Sequence, residues 1–538
     1  MPQLDVDILA TGLAGAAESW VDKLVAERVA SALAHQDPTL WGPQAQPEAA
    51  RRLAWVGLPA SSRPLLDTID ALRVKLHSDG IDRVVLAGMG GSSLAPEVIC
   101  ATDQVALTVL DTTDPGQVAD ALAGDLARTV LVVSSKSGST VETDSHRRIF
   151  AAAFTAAGLD PAAHLVVITD PGSPLQQIAE ADGYRAVITA DPDVGGRYSA
   201  LTAFGLVPAG LAGADVARLL DEAAELAPLL ALDDPANPAL RLAAALAAGH
   251  AVGAEKVVLA DSGSGIVGFA DWAEQLIAES TGKEGTGLLP VVAGNPAAPG
   301  FADAGPDATP VVLGPAVPTA AVAVRGTLGG QMLLWEHAIA VVGRLLAINP
   351  FDQPDVEAAK AAAREQLKGA EEDEPRFVDG EVAVHPVGDW LPAGVTTLGD
   401  ALRALVAATP PHGYLAVQAY LDRIADASAA LLRDEFARRA GLQTTFGWGP
   451  RFLHSTGQYH KGGHQNGSFL QLTGAVDTDI PVPGTDFSLG RLQRAQALGD
   501  AQVLAAHGRP VLRLHLRDRP AGLVALVHAL GSSDDRDT

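Results

Sequence analysis

Five short apolar runs recur between residues 83 and 189, and a helix-like pattern follows each of them. They read RVVLA, VALTVL, TVLVV, HLVVIT and RAVIT, and they begin at Arg83, Val105, Thr129, His164 and Arg185. Each run is continuous and rich in β-branched residues, and Gly, Ser or Asp soon follows it. This pattern is typical of strands buried on both faces of a parallel sheet. Strands that alternate with helices in this way predict a doubly wound α/β domain.

The rest of the chain divides around this predicted sheet. Residues 1–65 show helical spacing and predict a helical extension, and the first α/β domain is expected at 66–215. A second, less regular set of apolar runs predicts another α/β domain with a C-terminal elaboration at 216–530. The acidic segment 369–390 is expected to form an exposed connection. The tail 531–538 is expected to be disordered.

Composition excludes several classes of function. The 538 residues carry 64 Asp and Glu against 38 Lys and Arg, and the resulting net charge of −26 repels nucleic acid. No apolar stretch reaches the roughly 18 residues of a membrane helix, and the N-terminus lacks the basic region of a secretory signal. The single cysteine, Cys100, allows neither an intramolecular disulfide nor a cysteine zinc cage. The cytoplasm is therefore the expected compartment, and neither nucleic acid nor membrane is an expected partner.

Two small-residue loops follow predicted strands. Gly88–Ser93 reads GMGGSS, which suits either an anion or simply a tightly packed turn. Ser134–Thr140 reads SSKSGST and brings hydroxyls, an ammonium group and a helix N-terminus to one point. That combination suits a terminal phosphate dianion, although a hydroxyl-rich helix cap without a ligand is the alternative. A dinucleotide site would instead show Gly-x-Gly-x-x-Gly.

Three further motifs are ambiguous individually. Arg197 follows a pair of glycines, where a planar charge can project over a ligand. Gln275 and Glu279 share one face of a predicted helix, and a carboxylate in an otherwise apolar helix end can act as a general base. Gln353 and Lys360 share the face of another helix. A surface turn would explain the first motif equally well, and solvated helix faces are the simpler explanation of the other two when each is taken alone.

A histidine-rich run near the C-terminus offers proton transfer. His454, His460 and His464 lie with Lys461 within HSTGQYHKGGH. The run contains no Asp, Glu or Cys, and its histidine spacing matches no common zinc site. Because the imidazole exchanges protons near neutral pH, acid–base chemistry is the better explanation, and no metal is predicted.

Taken together, these motifs resemble the glucose-6-phosphate isomerase (phosphoglucose isomerase) family from about residue 80 to about residue 475. The strongest segments are GMGGSS, SSKSGSTVET, GGRYS, QLIAESTGKEG and NPFDQPDVEAAK. The block GPRFLHSTGQYHKGG looks most like the isomerase part of transaldolase–isomerase fusions and its free-standing relatives. The resemblance implies two sugar-isomerase domains with doubly wound, flavodoxin-like parallel sheets and additional helices.

The resemblance also implies catalytic roles. The family interconverts glucose 6-phosphate and fructose 6-phosphate through a cis-enediol. Glu279 matches the base that moves a proton between C1 and C2. Arg197 matches the group that stabilises the enediolate, and Lys360 matches a group that assists ring opening. His454 matches the ring-opening histidine. Its motif follows Lys360 here, whereas better-known relatives have it earlier, so both other histidines of the run are rivals for that role.

The sugar phosphate is expected to be held by the two loops and two glutamines. The implied binding residues are Gly91, Ser92, Ser135, Lys136, Ser137, Thr140, Gln275 and Gln353. Neither a cofactor nor a metal is implied, the expected partner is a phosphorylated hexose, and a homodimer is an open alternative. Such an enzyme serves glycolysis and gluconeogenesis. The other functions considered are an isomerase of mannose 6-phosphate or an amino-sugar phosphate, and a phosphosugar-sensing regulatory protein.

Overall fold

The computed structural model describes residues 4–369 and 374–531, with the backbone alone at 356–360. The described chain is mixed α/β and is built on three sheets. The predicted disordered tail lies outside the described residues beyond Gly531. Among the helices described, none combines the length and the apolar character needed to cross a bilayer.

The N-terminal segment contains one strand and five helices. They are β1 (Asp5–Ile8), α1 (Thr11–Ala26), α2 (Val29–Ala34), α3 (Gly42–Arg52), α4 (Leu58–Ser61) and α5 (Pro64–Ser78). The expected helical extension differs at its start, because β1 pairs antiparallel with Val322–Arg325. Asp-Val-Asp-Ile alternates with a period of two, and Val6 on the inner face is buried. These four residues therefore form a strand, and the helical spacing applies only to the residues that follow them.

The first sheet contains all five predicted strands. Its elements are β2 (Arg83–Gly88), α6 (Leu94–Thr102), β3 (Thr108–Leu110), α7 (Pro115–Leu122), β4 (Thr129–Ser134), α8 (Val141–Ala156), α9 (Pro161–His164), β5 (Leu165–Thr169), α10 (Pro174–Ala181), β6 (Ala186–Thr189) and α11 (Ala203–Ala212). The strands are parallel in the order β3-β2-β4-β5-β6. This is the flavodoxin-like order, which confirms the predicted doubly wound architecture.

The second sheet repeats this order. The elements are α12 (Val216–Leu230), α13 (Pro238–Ala251), β7 (Lys256–Asp261), α14 (Phe269–Thr281), β8 (Leu289–Val292), β9 (Ala308–Leu313), β10 (Val322–Arg325), α15 (Leu328–Leu345) and α16 (Val356–Gly369). The parallel strands run β8-β7-β9-β10, with β1 added antiparallel at the edge. Buried side chains of both sheets and of α13 and α15 form one continuous hydrophobic core.

A third sheet forms the C-terminal elaboration. Its elements are β11 (Phe377–Asp379), β12 (Val382–Val387), α17 (Leu398–Ala408), β13 (Tyr414–Tyr420), α18 (Leu431–Ala440), β14 (Gln443–Trp448), α19 (Gly457–Gly462), β15 (Gly467–Gly474), α20 (Leu489–Ala506), β16 (Val511–Leu516) and α21 (Arg519–Gly531). The parallel strands again take the order β14-β13-β15-β16. The segment 369–390 is therefore more than a connection, since Val382 and Val384 of β12 are fully buried in this sheet.

Candidate active site

The candidate site begins at the point where the strand order of the first sheet reverses. Strand β3 lies on one side of β2, and β4 lies on its other side. Where the strand order reverses in this way, a crevice opens at the carboxyl ends of the strands. The loop with Gly90–Ser92 follows β2, and the hydroxyl-rich loop follows β4. The two loops singled out in the sequence therefore lie where α/β proteins of this topology bind ligands.

Glu279 and Arg197 meet in the interior of the protein. Arg197 follows β6 in a short turn, and Glu279 lies in the last turn of α14. Arg197 Nε is 3.1 Å from Glu279 Oε2, and Gln275 Nε2 donates a hydrogen bond of 3.3 Å to Glu279 Oε1. Burial raises the pKa of the Glu279 carboxyl, and the positive charge of Arg197 offsets part of that rise. The arrangement is a buried carboxylate with one cation and one amide against it.

Arg197 also fixes the segment that follows α15. Its guanidinium donates to the carbonyl oxygens of Glu279 at 2.6 Å, Pro350 at 3.0 Å and Asp352 at 3.1 Å. It also donates to Gln353 Oε1 at 2.7 Å. The planar guanidinium can satisfy several acceptors at once, so its orientation is fixed before any ligand arrives.

Lys283 belongs to the same cluster, although the sequence did not indicate a role for it. Its Nζ donates to the carbonyl oxygens of Asn349 at 2.7 Å and Asp352 at 2.6 Å, and pairs with Asp352 Oδ1 at 2.8 Å. Burial, with the nearby positive charge of Arg197, lowers the pKa of Lys283 to about 8. Its place within the segment QLIAESTGKEG, shortly after Glu279, is the sequence signal that could have identified it.

His454 reaches the site from the third sheet. Its Nε2 is 3.3 Å from Oε1 of Glu142, which lies in the first turn of α8. Gln496 of α20 donates to the same oxygen at 2.6 Å. Burial alone would raise the pKa of Glu142, but the hydrogen bond and the charge of His454 outweigh it and lower that pKa. Neither Glu142 nor Gln496 was predicted from the sequence to lie in this cluster. For Glu142, its place directly after the hydroxyl-rich loop was the available signal.

Two glycines let these groups converge. A Cβ on Gly90, which has a φ of +55°, would lie 2.8 Å from both Gln275 Nε2 and the His454 carbonyl oxygen. A Cβ on Gly91 would collide with the carbonyl oxygen of Gly196, beside Arg197. The GMGGSS turn therefore packs between helix α14, the His454 turn and the Arg197 turn. Ser92, in the same turn, is buried.

The other two histidines of the run lie elsewhere. His460 is buried and stacked on Tyr414, whose hydroxyl is 3.1 Å from its Nδ1. His464 is half exposed, and its Nδ1 is 2.9 Å from Glu255 Oε2. The three histidines thus have three separate partners. Among the residues that the structure describes, no group of three or more His, Cys, Asp or Glu side chains could hold a metal ion.

The hydroxyl-rich loop is ordered by its own side chains. Ser135 Oγ is 3.0 Å from Thr140 Oγ1, and Ser137 Oγ accepts hydrogen bonds from the backbone and the hydroxyl of Ser139. The ammonium group of Lys136 contacts residues outside this loop. Its Nζ pairs with Asp170 Oδ2 at 2.7 Å and donates to the Pro192 carbonyl oxygen at 3.1 Å.

Lys360 cannot be placed with the others. It belongs to the first turns of α16, where its side chain lies outside the described part of the chain. The start of that helix is nevertheless tied to the site. Gln458 Nε2 donates to Asp355 Oδ2 at 2.7 Å and to the Gly282 carbonyl oxygen at 2.9 Å. Gln458 therefore joins the residue just before α16 to the residue just after α14, which carries Glu279.

Comparison with known proteins identifies similar sequences. A profile described as phosphoglucose isomerase matches residues 63–293, which include both loops, Arg197 and Glu279 but not His454. Glucose-6-phosphate isomerase of Thermosynechococcus vestitus is 37% identical over 216 residues, or 37% of this chain and 40% of that protein. Probable glucose-6-phosphate isomerase of Haloarcula marismortui is 30% identical over 359 residues, or 55% of this chain and 81% of that protein. The match thus spans less than half of the Thermosynechococcus protein but most of the Haloarcula protein.

Two crystal structures share much of the fold. A hypothetical protein from Thermus thermophilus aligns with a TM-score of 0.57 at 26% identity, over 69% of this chain and all of that one. A glucose-6-phosphate isomerase from Chlamydia trachomatis aligns with a TM-score of 0.53 at 19% identity, over 67% of this chain and 86% of that one. The Chlamydia likeness concerns the fold alone.

Proposed function

We propose that this chain, which belongs to the phosphoglucose isomerase family, interconverts glucose 6-phosphate and fructose 6-phosphate by moving one proton between C1 and C2. The observation that carries the proposal is the buried carboxylate of Glu279, with Arg197 at 3.1 Å and Gln275 at 3.3 Å. A proton on carbon next to a carbonyl needs a positioned base, and the enediolate that forms needs a nearby cation. Both requirements meet in this cluster.

Glu279 acts as the base in this proposal. Because burial raises the pKa of its carboxyl, the group takes up a proton more readily than a solvated glutamate does. Arg197 stabilises the negative charge that develops on the substrate oxygens when the proton leaves carbon. Gln275 and Gln353, which bond to Glu279 and Arg197, lie where they can orient the hydroxyls of the sugar. The family resemblance also assigns Lys360 to ring opening.

His454 opens and closes the sugar ring in this proposal. A histidine suits the step because imidazole gains and loses protons near neutral pH. As an imidazolium, His454 gives its proton to the ring oxygen when the C1–O5 bond breaks, while the C1 hydroxyl gives its proton to water. His454 takes the proton back from the C5 hydroxyl when the ring closes, and Glu142 stabilises the imidazolium. The buried contact between the two groups, and the lowered pKa of Glu142, support this pairing. His460 and His464 have no part in the proposal, since their partners lie away from Glu142 and Glu279.

The substrate phosphate binds at the first sheet in this proposal. Ser92 and the loop residues Ser135, Ser137 and Thr140 supply hydroxyl donors, and Gly91 allows the backbone to approach. The N-terminus of α8 adds the positive end of a helix dipole. Lys136 provides the full positive charge of the loop, and Asp170 neutralises it until the phosphate displaces the carboxylate.

Replacing Lys136 with Ala is expected to weaken the binding of inorganic phosphate and of glucose 6-phosphate about ten- to a hundredfold. The reason is that a charge-assisted hydrogen bond contributes about 1.5–3 kcal/mol. Calorimetric titration measures both affinities. The matched variant is Asp170→Asn, which releases Lys136 from its present partner and should tighten phosphate binding. If Asp170→Asn and Lys136→Ala weakened binding to the same extent, Lys136 would serve only to hold the loop.

A coupled assay tests the proposed function directly. Purified protein is given fructose 6-phosphate, and glucose 6-phosphate dehydrogenase reports the product through NADPH. Mannose 6-phosphate and glucosamine 6-phosphate are tested in parallel as substrates. The proposal expects a specificity constant for fructose 6-phosphate far above those of the other sugars. A higher constant for either alternative would assign the site to that sugar, and phosphosugar binding without turnover would indicate a sensor.

We infer that one chain suffices for activity, although a homodimer is compatible with this. Glu279, Arg197, Glu142 and His454 all belong to the described chain, and the contacts between them support a site that needs no residue from a partner. A cytoplasmic location remains the expectation from the single cysteine and the phosphorylated substrate.

A further inference from the structure

We propose that helix α20 positions both members of the His454–Glu142 pair, and that the buried Lys461–Asp500 ion pair is the part that holds the His454 turn. This inference rests on the proposed ring-opening role of that pair. Lys461 and Asp500 are positioning residues in it, since they act on the substrate only through His454. No motif in the sequence analysis assigns either residue a role.

One face of α20 holds Glu142. Gln493, Gln496 and Asp500 are spaced so that they share one side of the helix. Gln496 Nε2 donates to Glu142 Oε1 at 2.6 Å, and its own Oε1 accepts a hydrogen bond of 2.9 Å from Thr113. Because both ends of the Gln496 amide are bonded, its orientation is fixed. Gln496 of α20 and His454 therefore meet at the same carboxylate oxygen of Glu142, and α20 fixes the position of that oxygen.

The same face holds the segment that carries His454. Lys461 Nζ is 2.6 Å from Asp500 Oδ1, and the side chains are 2% and 0% exposed. The same Nζ donates to the carbonyl oxygen of Gly457, the first residue of α19, which follows His454 closely in the chain. Asp500 thus connects α20, through Lys461, to the backbone just after His454.

A third contact reaches the turn from its other side. Phe452 of the Arg451–His454 turn packs with Tyr420 and with Ala497 of α20 in one small hydrophobic cluster. The rings of Tyr420 and Phe452 are 5.5 Å apart in an edge-to-face arrangement. The residues before and after His454 are therefore both anchored to α20, within the stretch of helix that also carries Gln496.

The buried Lys461–Asp500 ion pair is better explained by a positioning role than by a contribution to stability. A buried ion pair often contributes no more to stability than well-packed apolar residues of similar size, because both charges lose their water. What such a pair provides in this proposal is a fixed position, since both side chains are buried and the Lys461 ammonium lies 2.6 Å from Asp500 Oδ1. A displacement of about 1 Å between His454 and Glu142 can reduce a rate about a hundredfold, so a rigid common support is of direct use to catalysis.

The test compares two charge-free replacements. Lys461→Met with Asp500→Leu removes the proposed anchor without leaving a lone buried charge. Lys256→Met with Asp307→Leu is the control, because Lys256 of β7 is also buried and its Nζ lies 3.0 Å from Asp307. Glu255, the other partner of Lys256, keeps its contacts with His464 and Asn466 in this control. Both double variants are assayed with glucose 6-phosphate and with its 4,5-dideoxy analogue, which lacks the hydroxyls that close the ring.

The expected result separates the substrates. The Lys461/Asp500 variant should lose about ten- to a hundredfold in kcat on glucose 6-phosphate but stay within about threefold of the unaltered protein on the open-chain analogue. The control should match the unaltered protein on both. Parallel losses on the two substrates, or no loss on either, would overturn the proposal. If the double variant does not fold, Gln496→Met tests the Glu142 side with the same expectation.

A second measurement does not depend on turnover. The Glu142 carboxyl is titrated by NMR in protein labelled with ¹³C-glutamate, with Glu142→Gln used to assign its signal. In the Lys461/Asp500 variant the pKa of Glu142 should rise, because burial would no longer be opposed by a well-placed His454. An unchanged pKa would contradict the proposal even if the unaltered protein failed to isomerise glucose 6-phosphate. That failure in the coupled assay would instead reject the proposed function.

Discussion

Replacement of Glu279 by Gln is expected to lower kcat by about 10²–10⁴-fold while KM changes little. The amide keeps the shape of the side chain but cannot accept a proton from carbon. Its contacts are with Arg197 and Gln275, which the proposed function places at the reacting end of the substrate, so phosphate binding at the first sheet should survive. Steady-state kinetics in both directions measure the two constants.

Isotope exchange identifies the step that is lost. In deuterium oxide the unaltered protein should introduce deuterium at C2 of glucose 6-phosphate, and Glu279→Gln should not. Glu274→Gln is the matched control, because Glu274 lies on the same helix and burial raises its pKa as well. Exchange at the original rate in Glu279→Gln would assign the base to another residue.

The pH dependence follows from the same group. Glu279 must be ionised to accept the proton, so kcat/KM should fall as the pH drops through its pKa. Because burial raises that pKa, the fall should begin at a higher pH than for an ordinary glutamate. A pH profile of kcat/KM measures the position of the fall. A profile that stayed level down to the pH at which an ordinary glutamate takes up its proton would contradict the assignment.

Replacement of His454 by Ala is expected to reduce turnover of ring-closed glucose 6-phosphate by about a hundredfold or more, the usual scale of general acid–base catalysis. The 4,5-dideoxy analogue should be turned over at nearly the original rate, because it has no ring to open. His464→Ala is the matched control, since this half-exposed imidazole from the same run pairs with Glu255 instead. Equal losses on both substrates would place His454 in the proton transfer at carbon.

The first sheet could be predicted in detail because its signals are local. Each strand is a continuous apolar run, and the residues after β2 and β4 already contain the small and hydroxylic side chains of the two loops. Chain order then places both loops at one edge of a parallel sheet. Glu279 and Arg197 are 82 positions apart in the sequence. Their shared site was implied by the family resemblance and not by the spacing of residues.

The groups that the sequence did not reveal are those whose partners are remote along the chain. Glu142 meets His454 across 312 positions and Gln496 across 354. Neither glutamine nor glutamate carries a local pattern that distinguishes such a contact from a solvated helix face. Strand β1 was not predicted for a related reason, since its four residues form a strand by pairing with β10, which is remote along the chain.

The order of motifs along the chain also has a physical explanation. The histidine motif follows Lys360 in the sequence because it belongs to the third sheet, which is added after the two sheets that hold Glu279 and Arg197. The turn after β14 nevertheless reaches Gly90 and Glu142. What the site requires is closeness in space, and a separate sheet can supply that from any point in the chain.

The helix that carries Glu279 and the turn that carries His454 both pack against Gly90 of the same copy of the chain, so the proposed single-chain site has a genetic consequence. Two inactive alleles, one without the carboxylate of Glu279 and the other without the imidazole of His454, should not complement each other when they are expressed in the same cell. Mixed assemblies would contain only sites that lack one group or the other. For the same reason, an inactive variant chain should not inhibit an intact chain in the same assembly. The specific activity should fall in proportion to the fraction of inactive chains.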